Sequence, residues 1–401
     1  MGKPIDMVKR LRLFKRELSK YFYPAIIVLG VATVGTILLV QSYAANDAAV
    51  IEPENGSVSM PATGVSNATA SGSGAVRFNP PSNGQPAQCA NGGNFLWSNL
   101  AACGWPDASN TGYNAGQCPG GVLTVNSGSA SRTIRVTTAN STVSCQNITG
   151  CLSIEASNVT VTNIKIACNS GKTGTNANGT SAIYVTNGAS ATISQAEING
   201  MKGVHACIWH QGTSLNVTAV NCYGVNDGIF SWADTSYSQT TGDNFTIKDS
   251  YFHDFTILTS NGHIDGYQTE GSGNGLIDHN TFLMTSDDDN GSDSAVAIWN
   301  GYRSTHDIIV QNNLIAGGGF AIYAEDYVPS EANPAGGYSV TNVQFNNNKF
   351  STHLFGCVGF YGVWYVRGAP TDGWRRSGNT VLETGANVDN GNPSYQGNTC
   401  N

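Results

Sequence analysis

The chain has 401 residues, including 48 glycines, and only 11% of its residues are charged. This composition, rich in Asn, Ser, Thr, Gly and Val, argues against a helical protein and favours many short strands joined by turns. The formal net charge is −8, although seven of the 19 Lys and Arg lie in the first 20 residues. The acidic remainder argues against nucleic acid as a partner, and against polyanions unless cations bridge them.

The N-terminus has the charge and hydropathy pattern of a membrane-targeting segment. A basic stretch in residues 1–22 precedes an apolar run in residues 23–45. Roughly 20 apolar residues span a bilayer, and flanking basic residues stay on the cytoplasmic side. The small residues that end the run also suit signal-peptide cleavage. We therefore predict a transmembrane anchor, which the length of the run favours, or a cleaved signal peptide. Both place the remaining chain outside the cell, at the membrane or secreted.

Residues 46–88 are polar, rich in Gly, Ser and Ala, and interrupted by proline. This composition predicts a flexible linker, with a short hairpin around Val58–Phe78. The linker would join the N-terminal segment to a body that begins at about residue 89 and extends to residue 401.

Ten cysteines fit an exported protein, because disulfides persist in oxidising surroundings. No CxxC motif occurs, and no Cys/His spacing resembles a zinc site. The predicted disulfides are a local bridge Cys145–Cys151, a bridge Cys357–Cys400, and pairing within an N-terminal group of Cys89, Cys103 and Cys118.

A repeat organises residues 89–401: an aliphatic or aromatic residue, four residues, and then a second such residue. A short apolar segment follows each copy, and Asn280, Asn313 and Asn348 occupy equivalent positions. Irregular periods of about thirty residues with stackable Asn predict parallel strands stacked in coils. An antiparallel sandwich would instead need a tight turn roughly every 8–12 residues. The predicted fold is all-β, a right-handed parallel β-helix of about 7–9 coils preceded by the single N-terminal helix. The repeat copies are Val161–Ile166, Ile193–Ile198, Val217–Cys222, Ile247–Phe252, Ile277–Phe282, Val310–Ile315 and Phe345–Phe350.

Several segments within roughly residues 104–385 resemble a known family. They include WPDASNTGYNAGQCPGGVLTV, GCLSIEASNVTVTNIKI, HIDGYQTEG, IDHNTF and NNLIAGGGFAIY. These segments are similar to secreted bacterial right-handed parallel β-helix proteins of the pectin-lyase-like superfamily. The resemblance implies that fold and a carbohydrate-related role. It implies no particular reaction, because the site motifs of the lyases and glycosidases with this fold are not reproduced, and a fold alone does not define a function.

The second strand of each coil predicts a row of outward-facing side chains. If an apolar anchor in each strand points inward, alternation turns the next residue outward. Six aromatic residues and one glutamine, spaced about 4.8 Å apart from coil to coil, would form a platform for sugar rings. With the opposite parity the same rings would belong to the core. The anchors are Ile183, Ile208, Ile229, Tyr267, Ile298, Ile322 and Phe360, and the residues after them are Tyr184, Trp209, Phe230, Gln268, Trp299, Tyr323 and Tyr361.

The same register brings carboxylates of neighbouring coils together. Asp227 and Asp265 each precede an anchor by two residues, so their charges would raise one pKa by repulsion or share a cation. We predict His263 as the general acid or base, Asp265 or Asp227 as its carboxylate partner, and Glu270 as a further catalytic residue. The alternative is a structural Asp-Gly turn repeated in two coils.

Other polar and aromatic residues complete the predicted substrate-binding face. Gln268 would bind a sugar hydroxyl, and Arg303 would neutralise a uronate carboxylate, as a lyase requires. The predicted substrate-binding residues are Gln268, Trp209, Trp232, Trp299, Arg303, Tyr323 and Glu325.

An acidic loop, Thr285–Asp293, is a candidate calcium site. Its carboxylates Asp287, Asp289 and Asp293 would supply several oxygens from one segment. A solvated acidic loop without a metal is the alternative, and no other cofactor is predicted.

Together these features predict an exported, membrane-anchored monomer that binds and cleaves a polysaccharide or cell-surface glycan, either as a hydrolase or as a lyase. The alternative is a non-catalytic adhesin or surface-structure protein whose solenoid serves as a stalk. The clustering of His and Asp in three adjacent coils favours the enzyme, whereas a uniform lateral face would favour the stalk.

Overall fold

The computed structural model describes residues 62–66, 74–78, 85–172, 180–231, 242–258, 262–285, 293–326, 338–368 and 374–391. The predicted basic segment and apolar run lie outside these residues. Within the described ranges, no helix combines the length and hydropathy needed to cross a bilayer.

The chain divides into two compact units, residues 1–83 and 84–401. In the first unit, strands β1 (Ala62–Ser66) and β2 (Gly74–Phe78) pair antiparallel. This pair confirms the predicted hairpin.

The second unit begins with short helical turns and continues as strands. The turns are one α-helix, Gly93–Trp97, and four 3₁₀ helices, Ala87–Asn91, Ala101–Cys103, Ala115–Gln117 and Pro119–Gly121. The strands are β3 (Thr124–Asn126), β4 (Thr133–Val136), β5 (Thr142–Thr149), β6 (Cys151–Ile154), β7 (Val159–Ala167), β8 (Ser181–Val185), β9 (Ser190–Asn199), β10 (Ala206–His210), β11 (Ser214–Thr218), β12 (Asn221–Tyr223), β13 (Asp227–Ser231), β14 (Phe245–Lys248), β15 (Tyr251–Phe252), β16 (Asp265–Thr269), β17 (Gly273–Asp278), β18 (Thr281–Met284), β19 (Ser294–Ile298), β20 (Thr305–Gln311), β21 (Leu314–Gly317), β22 (Phe320–Glu325), β23 (Val340–Asn346), β24 (Lys349–Ser351), β25 (Gly362–Arg367), β26 (Arg375–Ser377) and β27 (Thr380–Val381).

These strands form two long parallel sheets, one of nine strands and one of sixteen. The nine-stranded sheet has the order β4-β6-β8-β10-β13-β16-β19-β22-β25, so the chain returns to it once in every coil. The sixteen-stranded sheet receives the intervening strands, which pair parallel from coil to coil. The predicted all-β architecture of stacked parallel strands is confirmed, and the fold is a parallel β-solenoid.

One left-handed residue per coil bends the sixteen-stranded sheet into two faces. In β9 this residue is Gln195, with φ 49°, and the halves of β9 on either side of it pair separately with β11 and β12. In later coils Asp249, His279, Asn312 and Asn347 take the same position, with φ between 50° and 55°. Asn and Asp tolerate this conformation better than most residues because their short polar side chains bond locally.

A ladder of buried asparagines crosses the coils beside this bend. The side-chain amide of Asn280 donates to Oδ1 of Asn313 at 3.0 Å, and Asn313 donates to Asn348 at 2.9 Å. Asn348 donates in turn to Asn379 at 2.9 Å, and each amide also bonds a backbone carbonyl, as Asn313 does to Ile277 at 3.0 Å. The predicted alignment of Asn280, Asn313 and Asn348 is confirmed. The ladder satisfies backbone groups that the turn leaves without strand partners.

An N-terminal segment, residues 85–121, lies across the outer side of the sixteen-stranded sheet. The indole of Trp97 donates to Ser351 Oγ at 3.2 Å. His279 Nε2 lies 2.9 Å from the Gly104 carbonyl, and the Gly112 backbone amide donates to the Ala219 carbonyl at 2.9 Å. These contacts all lie on the sixteen-stranded sheet, so the segment covers that sheet and not the nine-stranded one. The outer face of the nine-stranded sheet is therefore the candidate functional face.

Four disulfides join described cysteines, and they differ from the predicted local bridge. Cys145 pairs with Cys118 and not with Cys151, because Cys145 occupies the left-handed bend of β5 and faces the N-terminal segment. Cys89 pairs with Cys103, within the predicted N-terminal group. The remaining two bridges are Cys151–Cys168 and Cys207–Cys222; Cys357 is also disulfide-bonded, and its predicted partner Cys400 lies outside the described residues. This number of disulfides indicates an oxidising environment.

Replacing Asn313 with Ala should lower the free energy of unfolding by about 3 kcal/mol, because buried donors and acceptors on both neighbouring coils lose their partners. Urea denaturation at neutral pH measures this loss. The matched control is Asn216→Ala on the exposed side of β11, which should change stability by less than about 0.5 kcal/mol. Equal losses in the two variants would contradict a structural role for the ladder.

Candidate functional site

The register of the nine-stranded sheet confirms the first half of the predicted outward row and corrects the second half. Ile208, Ile229 and Tyr267 align as predicted. On the coil after Tyr267, however, the residue that aligns with Tyr267 and points inward is Val296 and not Ile298. This register places a serine, Ser294, beside Asp265, where the predicted one would have placed Val296 against a buried carboxyl.

The last coil is shifted as well. Trp364, not Phe360, aligns with the inward anchor Ile322. Trp364 fills the interior, with its ring 5.3 Å from that of Phe345 and 5.3 Å from that of Phe350, whereas Phe360 is 60% exposed. The outward row is therefore Tyr184, Trp209, Phe230, Gln268, Ala297, Tyr323 and Tyr365.

The outward row consists of two aromatic groups separated by small or polar side chains. On the N-terminal side, the ring of Trp209 lies 5.4 Å from that of Tyr184 and 5.8 Å from that of Phe230. On the C-terminal side, the rings of Tyr323 and Tyr365 are 4.7 Å apart. The predicted continuous platform is thus interrupted at Gln268 and Ala297, on the coil that carries Asp265 and on the next one.

Asp227 and Asp265 lie side by side on neighbouring coils and are both buried. A Cβ added at Gly228 or Gly266 would meet the core rings of Phe252 or Phe282, so the two glycines face the interior. The next residues, Ile229 and Tyr267, are also core residues, so strict strand alternation does not hold here. The ring of His205, whose Nε2 lies 3.1 Å from Asp227 Oδ2, is 5.7 Å from the ring of Phe230, and this contact places the aspartate pair beside the outward row. The backbone amide of Asp265 donates to Asp227 Oδ1 at 2.9 Å, which fixes the two carboxyl groups beside each other.

Two carboxyl oxygens of this pair, Asp227 Oδ2 and Asp265 Oδ2, are buried without a hydrogen bond to any described residue, although Asp227 Oδ2 has a histidine nearby. Ser294 Oγ donates to Asp265 Oδ1, and Nε2 of His205 lies 3.1 Å from Asp227 Oδ2. Asp265 Oδ2 is buried and makes no hydrogen bond to any described residue. A buried polar atom in this state is uncommon and indicates a position for a water molecule or a ligand.

Burial raises the pKa of both carboxyl groups. The pKa of Asp265 is raised well above its usual range, first by burial and then by the negative charge of Asp227. The pKa of Asp227 is also raised by burial, although the nearby His205 opposes the shift. The arrangement favours a state in which the pair holds a proton.

His263 lies at the edge of the pair as a cation. Its Nδ1 is 3.0 Å from Asp293 Oδ2, and this hydrogen bond, assisted by the charges of Asp293, Asp265 and Asp227, raises the pKa of His263 to about 9. The imidazole is exposed and lies edge-on to Trp299, with 6.3 Å between ring centroids. His263 is therefore protonated at neutral pH, and it stabilises negative charge on the aspartates.

Glu270, which follows β16, and Glu325, the last residue of β22, belong to the coils on either side of Trp299. Burial raises the pKa of Glu270 to about 7, against hydrogen bonds from the Gly301 backbone and from Gln268. Burial also raises the pKa of Glu325. Trp299 is 8% exposed, and its buried indole N–H has no hydrogen-bond partner among the described residues. The Trp299 N–H is thus a further unpartnered polar atom on the same face as Asp265.

Arg303 does not lie where a ligand on this face would meet it. Its guanidinium is buried, donates to Asp243 Oδ1 at 2.6 Å, and holds the Gly271 carbonyl at 2.9 Å. The residue follows β19 on a turn that leads away from the outer face, and the predicted contact with a uronate carboxylate does not fit this position.

The remaining predicted residues include several that the structure does not describe. Trp232, Asp287 and Asp289 lie outside the described residues. Asp293, the described member of the predicted calcium set, bonds His263 and the Ile264 backbone amide. In the described part of the chain, no group of three or more His, Cys, Asp or Glu side chains is arranged to hold a metal ion. The calcium site stays a prediction.

The sequence did not reveal the roles of Asp293 and Ser294 as partners of the site, because both follow a loop of variable length. The position of Ser294 could have been predicted. A buried Asp265 carboxyl needs a polar neighbour on the next coil, and Ser294, the first residue of β19, supplies a hydroxyl there. In comparisons with protein-family models, with curated proteins and with solved structures, the chain matches none.

Replacing Asp265 with Asn should raise the stability of the protein relative to wild type as the pH rises above about 4. The folded pKa of Asp265 lies above the unfolded value of about 3.9, so the folded state holds its proton more tightly and wild type loses stability with rising pH, by at most about 1.4 kcal/mol per pH unit. Urea denaturation at several pH values between 4 and 8 measures the difference.

Asp254 is the matched control. Its hydrogen bond to His253 lowers its pKa below the unfolded value of about 3.9, so above about pH 5 this carboxyl is ionised in both the folded and the unfolded state. The stability difference between Asp254→Asn and wild type should therefore stay constant between about pH 5 and pH 8, whereas that of Asp265→Asn changes with pH. A pH-independent difference for Asp265→Asn would contradict the raised pKa.

Proposed function

We propose that this chain is an extracellular right-handed parallel β-helix protein, of the pectin-lyase-like kind, that binds and cleaves polysaccharide on the outer face of its nine-stranded sheet. Right-handed coils are supported by the strong preference of parallel strand crossovers for that hand. Export is supported by the disulfides and by the apolar run in residues 23–45, which we propose anchors a monomer to the membrane.

The observation that carries the proposal is the buried Asp227–Asp265 pair, with an unpartnered oxygen, between two groups of aromatic rings. Two carboxyl groups that share a proton provide one acid and one base at the same pH. Rings on either side supply contact area for a chain of sugars. A structural Asp-Gly turn alone would not leave Asp265 Oδ2 without a hydrogen bond.

In the proposed reaction Asp265 donates its proton from Oδ2 to the glycosidic oxygen as the bond from that oxygen to the anomeric carbon breaks. Water adds to the anomeric carbon and loses its proton to an ionised carboxylate, for which Asp227 and Glu270 are the candidates. The His263 cation stabilises the negative charge that Asp265 acquires. Hydrolysis is favoured over β-elimination because Arg303, the cation predicted to neutralise a uronate, is bound in a buried ion pair.

The test is to incubate the full-length chain with a panel of neutral and acidic polysaccharides, with and without calcium. New reducing ends without the absorbance of unsaturated uronates are expected. Asp265→Asn should lower kcat/KM by at least about 100-fold, since the proton donor is lost. Asp254→Asn, on the other sheet, should stay within about twofold of wild type.

Three outcomes would contradict parts of this proposal. Unsaturated products would indicate a lyase. Equal activity of Asp265→Asn and wild type would remove Asp265 from the reaction. Glycan binding without cleavage anywhere in the panel would support the non-catalytic adhesin, which the exposed rings at the C-terminal end of the face also suit.

A further inference from the structure

An aromatic patch extends the outward row at the C-terminal end of the nine-stranded sheet. The ring of Phe320 lies 5.5 Å from that of Tyr323, 5.5 Å from that of Tyr361 and 5.3 Å from that of Tyr365. Phe360 extends the cluster, with its ring 4.8 Å from that of Tyr361. These five rings touch one another on the outside of β22 and β25, and they do not belong to the buried core.

The patch is exposed to a degree that the folded chain does not require. Phe360 is 60% exposed, although phenylalanine is among the residue types most often buried, and the neighbouring Tyr361 is 48% exposed. Clustered exposed rings of this kind mark a binding surface more often than scattered ones do. The tyrosines add hydroxyl groups at the rim, so the surface suits a ligand with both apolar faces and polar edges.

The patch is continuous with the proposed acid–base site. Tyr323 is the link, because it aligns with Ala297 on the neighbouring coil, and Ala297 aligns with Gln268 in the strand that carries Asp265. A ligand on the rings would therefore extend toward Asp265 along the direction in which the coils stack.

The two cations beside the patch and the acid pair already lie against carboxylates. Arg367 lies 4.6 Å over the Tyr365 ring and 3.9 Å from Glu325, and His263 Nδ1 lies 3.0 Å from Asp293 Oδ2. A polyuronate would have to compete with Glu325 and Asp293 for these cations, whereas an uncharged sugar has no carboxylate to neutralise. The paired charges therefore favour an uncharged ligand.

We propose that Phe320, Tyr323, Tyr361 and Tyr365 form a binding platform for an uncharged polysaccharide, whose chain continues from these rings to the Asp227–Asp265 pair. The inference rests on the proposed function, because it takes the ligand to be a carbohydrate. It adds the class of the substrate and a binding subsite separate from the reacting groups.

The experiment is native affinity electrophoresis of the full-length chain in gels that contain hydroxyethylcellulose, galactomannan, glucomannan or xylan, with polygalacturonate and alginate as anionic comparators. Retardation by at least one neutral polymer is expected, with no retardation by the anionic ones. The double variant Tyr361→Ala/Tyr365→Ala should raise the apparent Kd for that polymer at least about tenfold. Tyr361→Ala alone, at the more exposed ring, should raise it in the same direction without disturbing the fold.

Tyr113→Ala is the matched control. Tyr113 is an exposed tyrosine too, at 36%, but it belongs to the N-terminal segment on the other sheet. Its Kd should equal that of wild type. The platform is overturned if no neutral polymer retards the wild-type protein, if only the anionic polymers do, or if the tyrosine variants keep full affinity. It is also overturned if the tyrosine variants change the oligomeric state, since the patch would then join two copies of the chain.

The platform and the proposed reaction fail separately. Retardation that depends on the tyrosines, without cleavage of any polymer, would refute the reaction and leave the platform. Cleavage that Asp265→Asn abolishes, with unchanged KM in the tyrosine variants, would refute the platform and leave the reaction.

Discussion

The parallel pairing of each coil with the next is the constraint from which the rest of the structure follows. Because a strand hydrogen-bonds to its equivalent one coil away, equivalent residues stack at about 4.8 Å and every sequence position becomes a column. Columns of aliphatic residues build the core, a column of left-handed residues bends the larger sheet, and a column of asparagines satisfies the backbone beside that bend. Stacking also places two aspartates, 38 residues apart in sequence, within one hydrogen bond of each other.

Burying two neighbouring carboxyl groups is unfavourable, and the solenoid offsets this cost elsewhere. Desolvation raises the pKa of Asp265 and of Asp227, and only part of their hydrogen-bonding capacity is satisfied. By contrast, the buried asparagine ladder beside the sixteen-stranded sheet has its side-chain amides and carbonyls hydrogen-bonded. The same repeating backbone therefore carries a hydrogen-bonded polar column on one sheet and a carboxyl pair with unsatisfied oxygens on the other. Buried polar groups without partners, held by a rigid scaffold, are typical of functional sites.

The stacked parallel fold and the first coils of the site were predictable from sequence, because they depend on short-range periodicity. Between Ile208 and Tyr267 the apolar anchors recur without ambiguity, so the alignment of Asp227 with Asp265 was predicted correctly. After Tyr267 two apolar residues, Val296 and Ile298, compete for the same interior position. Periodicity alone does not choose between them, and the choice depends on a hydroxyl at Ser294 that bonds a buried carboxyl.

Contacts between distant parts of the chain were not predictable. The Cys118–Cys145 bridge depends on how the N-terminal segment crosses the sixteen-stranded sheet, and that path leaves no periodic signal. The position of Arg303 depends on Asp243, which is 60 residues earlier in the chain. The aromatic patch was predicted only through Tyr323 and Tyr361, since Tyr365 reaches the outward row by a four-residue shift of the last strand.

The most direct test of the account is a crystal structure of full-length Asp265→Asn with an oligosaccharide of whichever polysaccharide the wild-type protein cleaves. The account predicts sugar rings on Tyr323 and Tyr365 and a glycosidic oxygen within hydrogen-bond distance of residue 265. An oligosaccharide bound on the sixteen-stranded sheet, or at either end of the solenoid, would contradict it.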